Sequence, residues 1–154
     1  MTEGERIAEQ HRRAYLGEAW HGPAVFELLK GVSAKRAAAR PVKKAHSIWE
    51  LVLHLTTWER IVRSRFAGDP IEATPALDWP KPEKPTPAAW KRAVQALHEE
   101  SEALGLVFAR TTDERLASSR GPGLGTFYEL AHGQVQHALY HAGQIALLKK
   151  AAPR

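Results

Sequence analysis

Apolar residues recur at helical spacing in four long segments of the chain, and no segment alternates between apolar and polar residues as a strand would. Three of these segments open with Thr or Ser followed three residues later by Glu, and the other opens with a Thr-Pro pair; both are helix-capping signals. Because the apolar stripe of each helix needs partners, the pattern predicts an all-α fold, most simply a four-helix bundle. The predicted long helices cover about residues 4–20, 47–67, 87–110 and 126–150.

The segments between these helices are predicted to be connections within one domain that covers residues 1–154. A short helical piece is expected over residues 24–30, and at most one helical turn within each of residues 32–45 and 111–125. Residues 68–87 contain six prolines, so we expect no regular structure there but a long crossover from one end of the bundle to the other. Trp79 is expected to pin this crossover onto the helices.

The last predicted helix carries His137 and His141 on its buried stripe, one turn apart. Such a pair can share one metal ion. However, the eight histidines of this chain would give roughly 0.4 pairs at this spacing by chance, so two core imidazoles remain the alternative. His54 lies on the flank of the apolar arc of the second long helix. A third imidazole from a different helix would complete a set of three nitrogens that suits Zn²⁺, Ni²⁺ or Fe²⁺.

The residues around this set are predicted to play supporting roles. Gln134 and Gln144 are expected to orient the paired histidines, since a metal-bound imidazole normally donates its other N–H. We expect no carboxylate on the buried side of either histidine-bearing helix, because Glu50 and Glu129 both face outward. The remaining histidines are predicted to pack in the core, to lie at helix ends or to lie on the surface: His11 in the core, His21 and His46 at helix ends, His98 and His132 on the surface.

Composition and charge exclude only a few classes of function. The chain has no cysteine, which excludes disulfides, thiolate metal sites and a cysteine nucleophile. Its net charge is +5, but the densest basic run, over residues 35–44, lacks interleaved aromatic residues, so we predict a solvated loop and no nucleic-acid partner. The N-terminus does not resemble a signal peptide and no apolar run is long enough to span a membrane, so we predict a cytoplasmic protein without a membrane partner.

Two stretches of the sequence resemble the DinB/YfiT-like superfamily of metalloenzymes: HSIWELVLHLTTWE at residues 46–59 and HALYHAGQI at residues 137–145. Residues 20–23 and the proline-rich crossover also fit, so the resemblance spans nearly the whole chain. It implies a four-helix bundle with crossover connections and a divalent metal held by three histidines, which match His54, His137 and His141. In that family an acidic residue often follows the first histidine of the pair. Here that position is Ala138, which argues against a mechanism with a carboxylate at that point.

The resemblance also implies a function. We expect a metal-dependent enzyme, either a hydrolase or an S-transferase that uses a low-molecular-weight thiol such as bacillithiol or mycothiol. Zn²⁺ or Ni²⁺ is the expected cation, with Fe²⁺ as a further candidate. The alternative is a non-catalytic, stress-associated bundle with a structural or vestigial metal site, because no general base is evident. A homodimer through a helical face is also expected, but the sequence identifies neither that face, nor the small-molecule substrate, nor the reaction.

Overall fold

The computed structural model describes residues 1–152, and this part of the chain contains eight helices and no β-strand. The all-α prediction is therefore confirmed. The four long helices are α1 (Glu3–Leu16), α4 (Ile48–Ala67), α6 (Pro87–Arg110) and α8 (Phe127–Ala151). The four short helices are α2 (Val25–Leu29), α3 (Ala34–Ala38), α5 (Pro75–Asp78) and α7 (Asp113–Ala117).

The predicted capping signals define the starts of the long helices. At the start of α1, the Thr2 hydroxyl accepts a hydrogen bond from the Glu5 amide at 3.2 Å, and the Glu5 carboxylate accepts one from the Thr2 amide at 2.7 Å. The same reciprocal pair forms between Ser47 and Glu50 before α4, and between Thr126 and Glu129 before α8. These contacts satisfy amide groups that have no partner within the helix, so each helix begins at a sharply defined residue.

The long helices form a closed set of contacts, in which α1 and α4 each pack against both α6 and α8. This arrangement is compatible with the four-helix bundle predicted from the apolar stripes. Two apolar clusters fill the interior: one includes Trp49, Leu55 and Ile145, and the other includes Ile7 and Phe108. No helix among residues 1–152 is long and apolar enough to cross a bilayer.

The first connection begins earlier than predicted. Helix α1 ends at Leu16 rather than near Trp20, because Gly17 and Glu18 both have positive φ angles, of 145° and 64°. A helix cannot continue through such angles. Trp20 consequently lies outside the helix with its side chain fully exposed. The connection that follows contains the two short helices α2 and α3.

The proline-rich crossover contains the one-turn helix α5, so the prediction of no regular structure in this segment is wrong. The Thr74 hydroxyl accepts a hydrogen bond from the Leu77 amide at 3.3 Å, and Pro75 occupies the first turn, where the missing N–H of proline costs nothing. Trp79 follows directly and stacks between the rings of His46 and His54, with centroid distances of 3.6 and 3.9 Å. The crossover is thus pinned by Trp79, as predicted, and it reaches the histidine cluster.

Candidate metal centre

Three imidazoles from two helices meet at one point. Helix α4 supplies His54, and helix α8, which packs against α4, supplies His137 and His141 one turn apart. The Nε2 atom of His137 lies 2.9 Å from Nε2 of His54 and 3.0 Å from Nε2 of His141. The three histidines that the sequence predicted to converge are therefore adjacent in the folded chain.

The outer nitrogen of two of these rings is held by a hydrogen-bond acceptor. His54 Nδ1 lies 2.7 Å from the Asp78 carbonyl oxygen, and His141 Nδ1 lies 2.6 Å from Oε1 of Gln144. An oxygen of this kind can only accept, so each Nδ1 carries the proton and donates it. In both rings the inner Nε2 therefore presents a lone pair to the centre.

The three histidines do not have enough N–H groups at the centre to donate a hydrogen bond to every inner lone pair. His137 Nε2 faces two lone pairs, and even with a proton on this atom it can donate to only one of them. The outer nitrogen of His137 is buried and has no hydrogen-bond partner in the part of the chain that the structure describes. A cation that accepts lone pairs from all three inner nitrogens would satisfy the cluster, and three neutral imidazoles are a typical ligand set for Zn²⁺, Ni²⁺ or Fe²⁺.

The surroundings keep the three rings neutral. Burial, together with the repulsion that would act between protonated rings at His137, His141 and His54, lowers the pKa of His137 to about 3. Burial also lowers the pKa of His54 and the pKa of His141 below the ordinary value for histidine. At neutral pH the imidazoles are therefore in the unprotonated form that binds metals.

Asp78 supports the centre, and the sequence did not lead us to expect this residue. One oxygen of its carboxylate lies 3.2 Å from His54 Nδ1 and accepts a hydrogen bond from the Trp58 indole at 2.7 Å. Helix α5 brings Asp78 into position. The sequence does contain a signal for the start of α5, because Thr74-Pro75 is the same kind of capping pair as Thr86-Pro87, which predicted the start of α6.

The two glutamines next to the histidine pair have different roles. Gln144 accepts the hydrogen bond of His141 and orients that ring, as predicted. The prediction for Gln134 is wrong, because its amide nitrogen donates to Oε1 of Glu59 at 2.6 Å and contacts none of the three histidines by a hydrogen bond. His46 also differs from its prediction: Ser47 caps α4, and the His46 ring stacks on Trp79.

Glu59 contradicts the expectation that no carboxylate lies on the buried side of the histidine-bearing helices, since its side chain is 0% exposed. One of its oxygens accepts hydrogen bonds from the Tyr15 hydroxyl and from Gln134, both at 2.6 Å, and the other lies 2.8 Å from Nε2 of His11. Burial, followed by the charge of Glu59, raises the pKa of Tyr15 and keeps its hydroxyl protonated. We call Glu59, Tyr15, Gln134 and His11 the glutamate network.

The remaining histidines have no place in the centre. His11 is buried in the core, as predicted, while His21 is exposed. His98 and His132 are only partly exposed rather than free on the surface, and their rings lie against Phe26 and Tyr128, respectively.

A cavity of about 580 Å³ opens onto the three histidines. Trp58, Trp79 and Tyr140 supply aromatic surface to its lining. Arg65 and Arg120 supply positive charge, and Asp78 and Glu129 supply negative charge. A small molecule in this cavity would contact the histidine cluster directly. The centre therefore has room for a ligand in addition to a cation.

A family model described as the DinB superfamily matches residues 19–145, a range that includes His54, His137 and His141. No curated protein and no solved structure matches the chain.

Proposed function

The chain belongs to the DinB superfamily, and we propose that it is a metal-dependent enzyme whose His54, His137 and His141 hold one divalent cation. The observation that carries this proposal is the convergence of the three Nε2 atoms, two of them with their lone pairs fixed inward by hydrogen bonds at the opposite nitrogen. Zn²⁺ and Ni²⁺ are the proposed cations, and Fe²⁺ is a third candidate.

The proposed reaction is either hydrolysis or the transfer of a low-molecular-weight thiol, such as bacillithiol or mycothiol, to a small substrate. A divalent cation held by three imidazoles supplies Lewis acidity, which activates water or a thiol and polarises a carbonyl group at neutral pH. The contribution of the chain is orientation: Asp78 holds the proton on His54 Nδ1, and Gln144 holds the proton on His141 Nδ1. Trp79 covers one face of the His54 ring and excludes water from it.

The cavity favours an enzyme over the alternative of a structural or vestigial site, because structural metal sites are closed whereas catalytic sites keep an open position. Glu59 is not the general base of the proposed reaction, since both of its oxygens are already bonded within the glutamate network. Asp78 is the carboxylate in contact with the centre, and its side chain is 32% exposed. We propose that the Asp78 carboxylate stabilises the proton on His54 Nδ1 and so fixes the orientation of that ring.

Turnover of a panel of esters and thiol acceptors by protein loaded with Zn²⁺ or Ni²⁺ tests this proposal. We expect activity in the wild-type protein and its loss in His137→Ala, with His132→Ala as the matched control on the same helix. Stoichiometric metal without turnover of any compound would contradict the enzyme proposal and leave the metal site standing. Equal activity in His137→Ala and the wild type would contradict the site itself. The homodimer and the cytoplasmic location remain predictions.

A further inference from the structure

A second cavity, of about 420 Å³, adjoins the one that opens onto the histidines. Its lining includes Arg65, Arg115 and Arg120 and contains no acidic side chain. Two of these arginines, Arg65 and Arg120, also line the cavity at the metal centre. The two cavities therefore meet at a pair of positive charges.

No carboxylate within residues 1–152 forms an ion pair with these three arginines, which is also true of Arg6, Arg36 and Arg110 but not of six other arginines. Glu129 lines the cavity at the metal centre together with Arg65 and Arg120, and its charge interacts with that of Arg120. It forms no ion pair with either arginine, however, because its Oε2 accepts a hydrogen bond from the Thr126 amide at 2.6 Å and caps α8. Burial, followed by the charge of Arg120, lowers the pKa of Arg65, as expected for like charges held close together. Arginines that do form ion pairs lie elsewhere: Arg12, Arg13, Arg40, Arg60, Arg63 and Arg92.

Neighbouring groups hold the three guanidinium groups in place. The Arg65 guanidinium lies over the Trp58 ring, 5.5 Å from its centroid, and that of Arg115 lies 3.7 Å from the centroid of Phe127. Arg120 Nε donates to the Thr126 carbonyl at 3.1 Å. Cation–π contacts orient a guanidinium without using its N–H groups, so those groups remain available to a ligand.

The arginines are also close to the centre. The Trp58 ring that carries Arg65 lies edge-on to His137, with centroids 5.8 Å apart. One aromatic ring therefore separates the Arg65 guanidinium from the histidine cluster. A molecule held by Arg65 and Arg120 would extend through the shared lining towards His54 and His137.

We infer that Arg65, Arg115 and Arg120 form an oxyanion site that binds a phosphate or carboxylate group of the substrate while its reacting end lies at the metal centre. The planar guanidinium matches both groups with paired hydrogen bonds. This inference rests on the proposed function and gives it a substrate class: small molecules with an anionic group at one end. Neutral esters and neutral thiol acceptors would be poorer substrates.

Calorimetric titration of the metal-free protein with inorganic phosphate, and separately with succinate, tests the inference without any metal–anion contact. We expect saturable binding of at least one anion, weakened about tenfold or more in Arg65→Gln and in Arg120→Gln. Arg92→Gln is the matched control, because it removes the same charge from an exposed ion pair with Glu83 that lies in neither cavity. The control is expected to bind like the wild type. Binding of phosphate alone or of succinate alone would narrow the class of anion and support the site.

The inference is overturned if neither anion binds saturably to the wild type, or if both arginine variants bind as tightly as Arg92→Gln. Thermal melting of each variant identifies any that is unfolded, and Arg65→Lys and Arg120→Lys then keep the charge while removing the planar fork, so weaker binding is still expected. Zinc uptake, measured after aliquots of the same metal-free preparations are incubated with Zn²⁺, separates the two proposals. Metal uptake without arginine-dependent anion binding would contradict the oxyanion site and leave the metal site standing. Arginine-dependent anion binding without metal uptake would contradict the metal-dependent enzyme and leave the anion site standing.

Discussion

The glutamate network, which joins α1, α4 and α8, and the histidine cluster, which joins α4 and α8, are both polar groups inside the bundle. They differ in the balance of hydrogen-bond donors and acceptors. In the glutamate network, one carboxylate faces three side-chain donors, from Tyr15, Gln134 and His11. In the histidine cluster, three inner nitrogens face one another, and the outer nitrogen of His137 has no partner among residues 1–152. The first set of groups satisfies itself, whereas the second needs a ligand. Burial alone would not distinguish them.

This difference assigns separate roles to two neighbouring parts of the same helix. His54 and Glu59 are both on α4, and both side chains are buried. Because the Glu59 carboxylate has donors for both oxygens, it can remain inside the bundle and tie α4 to α1 and α8. His54 instead directs a lone pair into the centre. We therefore expect changes in the glutamate network to affect stability and changes in the histidine cluster to affect ligand binding.

The largest expected effect is that of Glu59→Ala on stability. This change leaves three buried donors without their acceptor, and removing one member of a buried charged network costs about 3–5 kcal/mol. Chemical unfolding of the metal-free protein measures the loss, which corresponds to a fall in melting temperature on the order of 10 °C for a chain of this size.

Glu102→Ala provides the control for this change. Glu102 is an exposed carboxylate that pairs with His98, so its removal is expected to change the unfolding free energy by less than about 0.5 kcal/mol. A loss in Glu59→Ala as small as that in Glu102→Ala would show that the glutamate network does not hold the helices together.

Two of the three glutamines of α8, Gln134 and Gln144, provide a matched pair for testing this comparison. Gln144→Ala removes the acceptor that orients His141 and is expected to weaken metal affinity about 10- to 100-fold with little change in the stability of the metal-free protein. Gln134→Ala removes one donor to Glu59 and is expected to lower stability by about 1–3 kcal/mol with metal affinity unchanged.

Zinc titration and chemical unfolding of both glutamine variants measure the two effects side by side. The exposed Gln136 supplies the control variant, Gln136→Ala, which is expected to change neither quantity. If Gln134→Ala weakened metal binding as much as Gln144→Ala, the separation between the network and the cluster would be wrong.

The smallest expected effect is the change in the stability of the metal-free protein for each unit of pH. The pKa of His137 is about 3 when folded and close to 6.5 when unfolded, so the unfolded chain binds a proton first as the pH falls. The stability associated with this histidine is therefore complete above pH 6.5 and is lost as the pH falls towards 3, by at most about 1.4 kcal/mol per pH unit.

Unfolding free energies measured between pH 6.5 and 5 exclude the titration of ordinary carboxylates. Comparison with His137→Ala then separates the contribution of His137 from those of His54 and His141, whose pKa values are also lowered. We expect a positive slope of stability against pH in the wild type and in His132→Ala, and a shallower slope in His137→Ala. A flat profile in the wild type would show that burial does not hold the pKa of His137 below its ordinary value.

The sequence predicted the long helices and the His137–His141 pair because both depend on local spacing, whereas the full set with His54 followed from the family resemblance. Capping pairs mark helix starts, and i, i+4 positions share a face, so the positions of His137 and His141 followed directly. Glu59 was also within reach of this reasoning, since it lies four residues after Leu55 and three before Val62 on the same buried stripe. The expectation of no buried carboxylate rested on Glu50 and Glu129 and did not take Glu59 into account.

Other features depended on tertiary contacts that spacing does not encode. Asp78 reaches His54 because one turn of helix forms inside a proline-rich crossover and Trp79 locks that turn between two rings. The different roles of Gln134 and Gln144 depend on which helix each side chain faces. The arginine cavity likewise combines residues from α4, α7 and the loop before α8, which no pattern along the chain connects.

The central claim is that three imidazoles bind one cation, and the number of zinc ions bound per chain tests it most directly. Metal-stripped protein, dialysed against excess Zn²⁺ and then buffer, is analysed by elemental mass spectrometry for the wild type, His54→Ala, His137→Ala, His141→Ala and the control His98→Ala. We predict about one zinc per chain in the wild type and the control, and a small fraction of that in each of the other three. Equal zinc contents in all five proteins, or no zinc in the wild type, would contradict the claim.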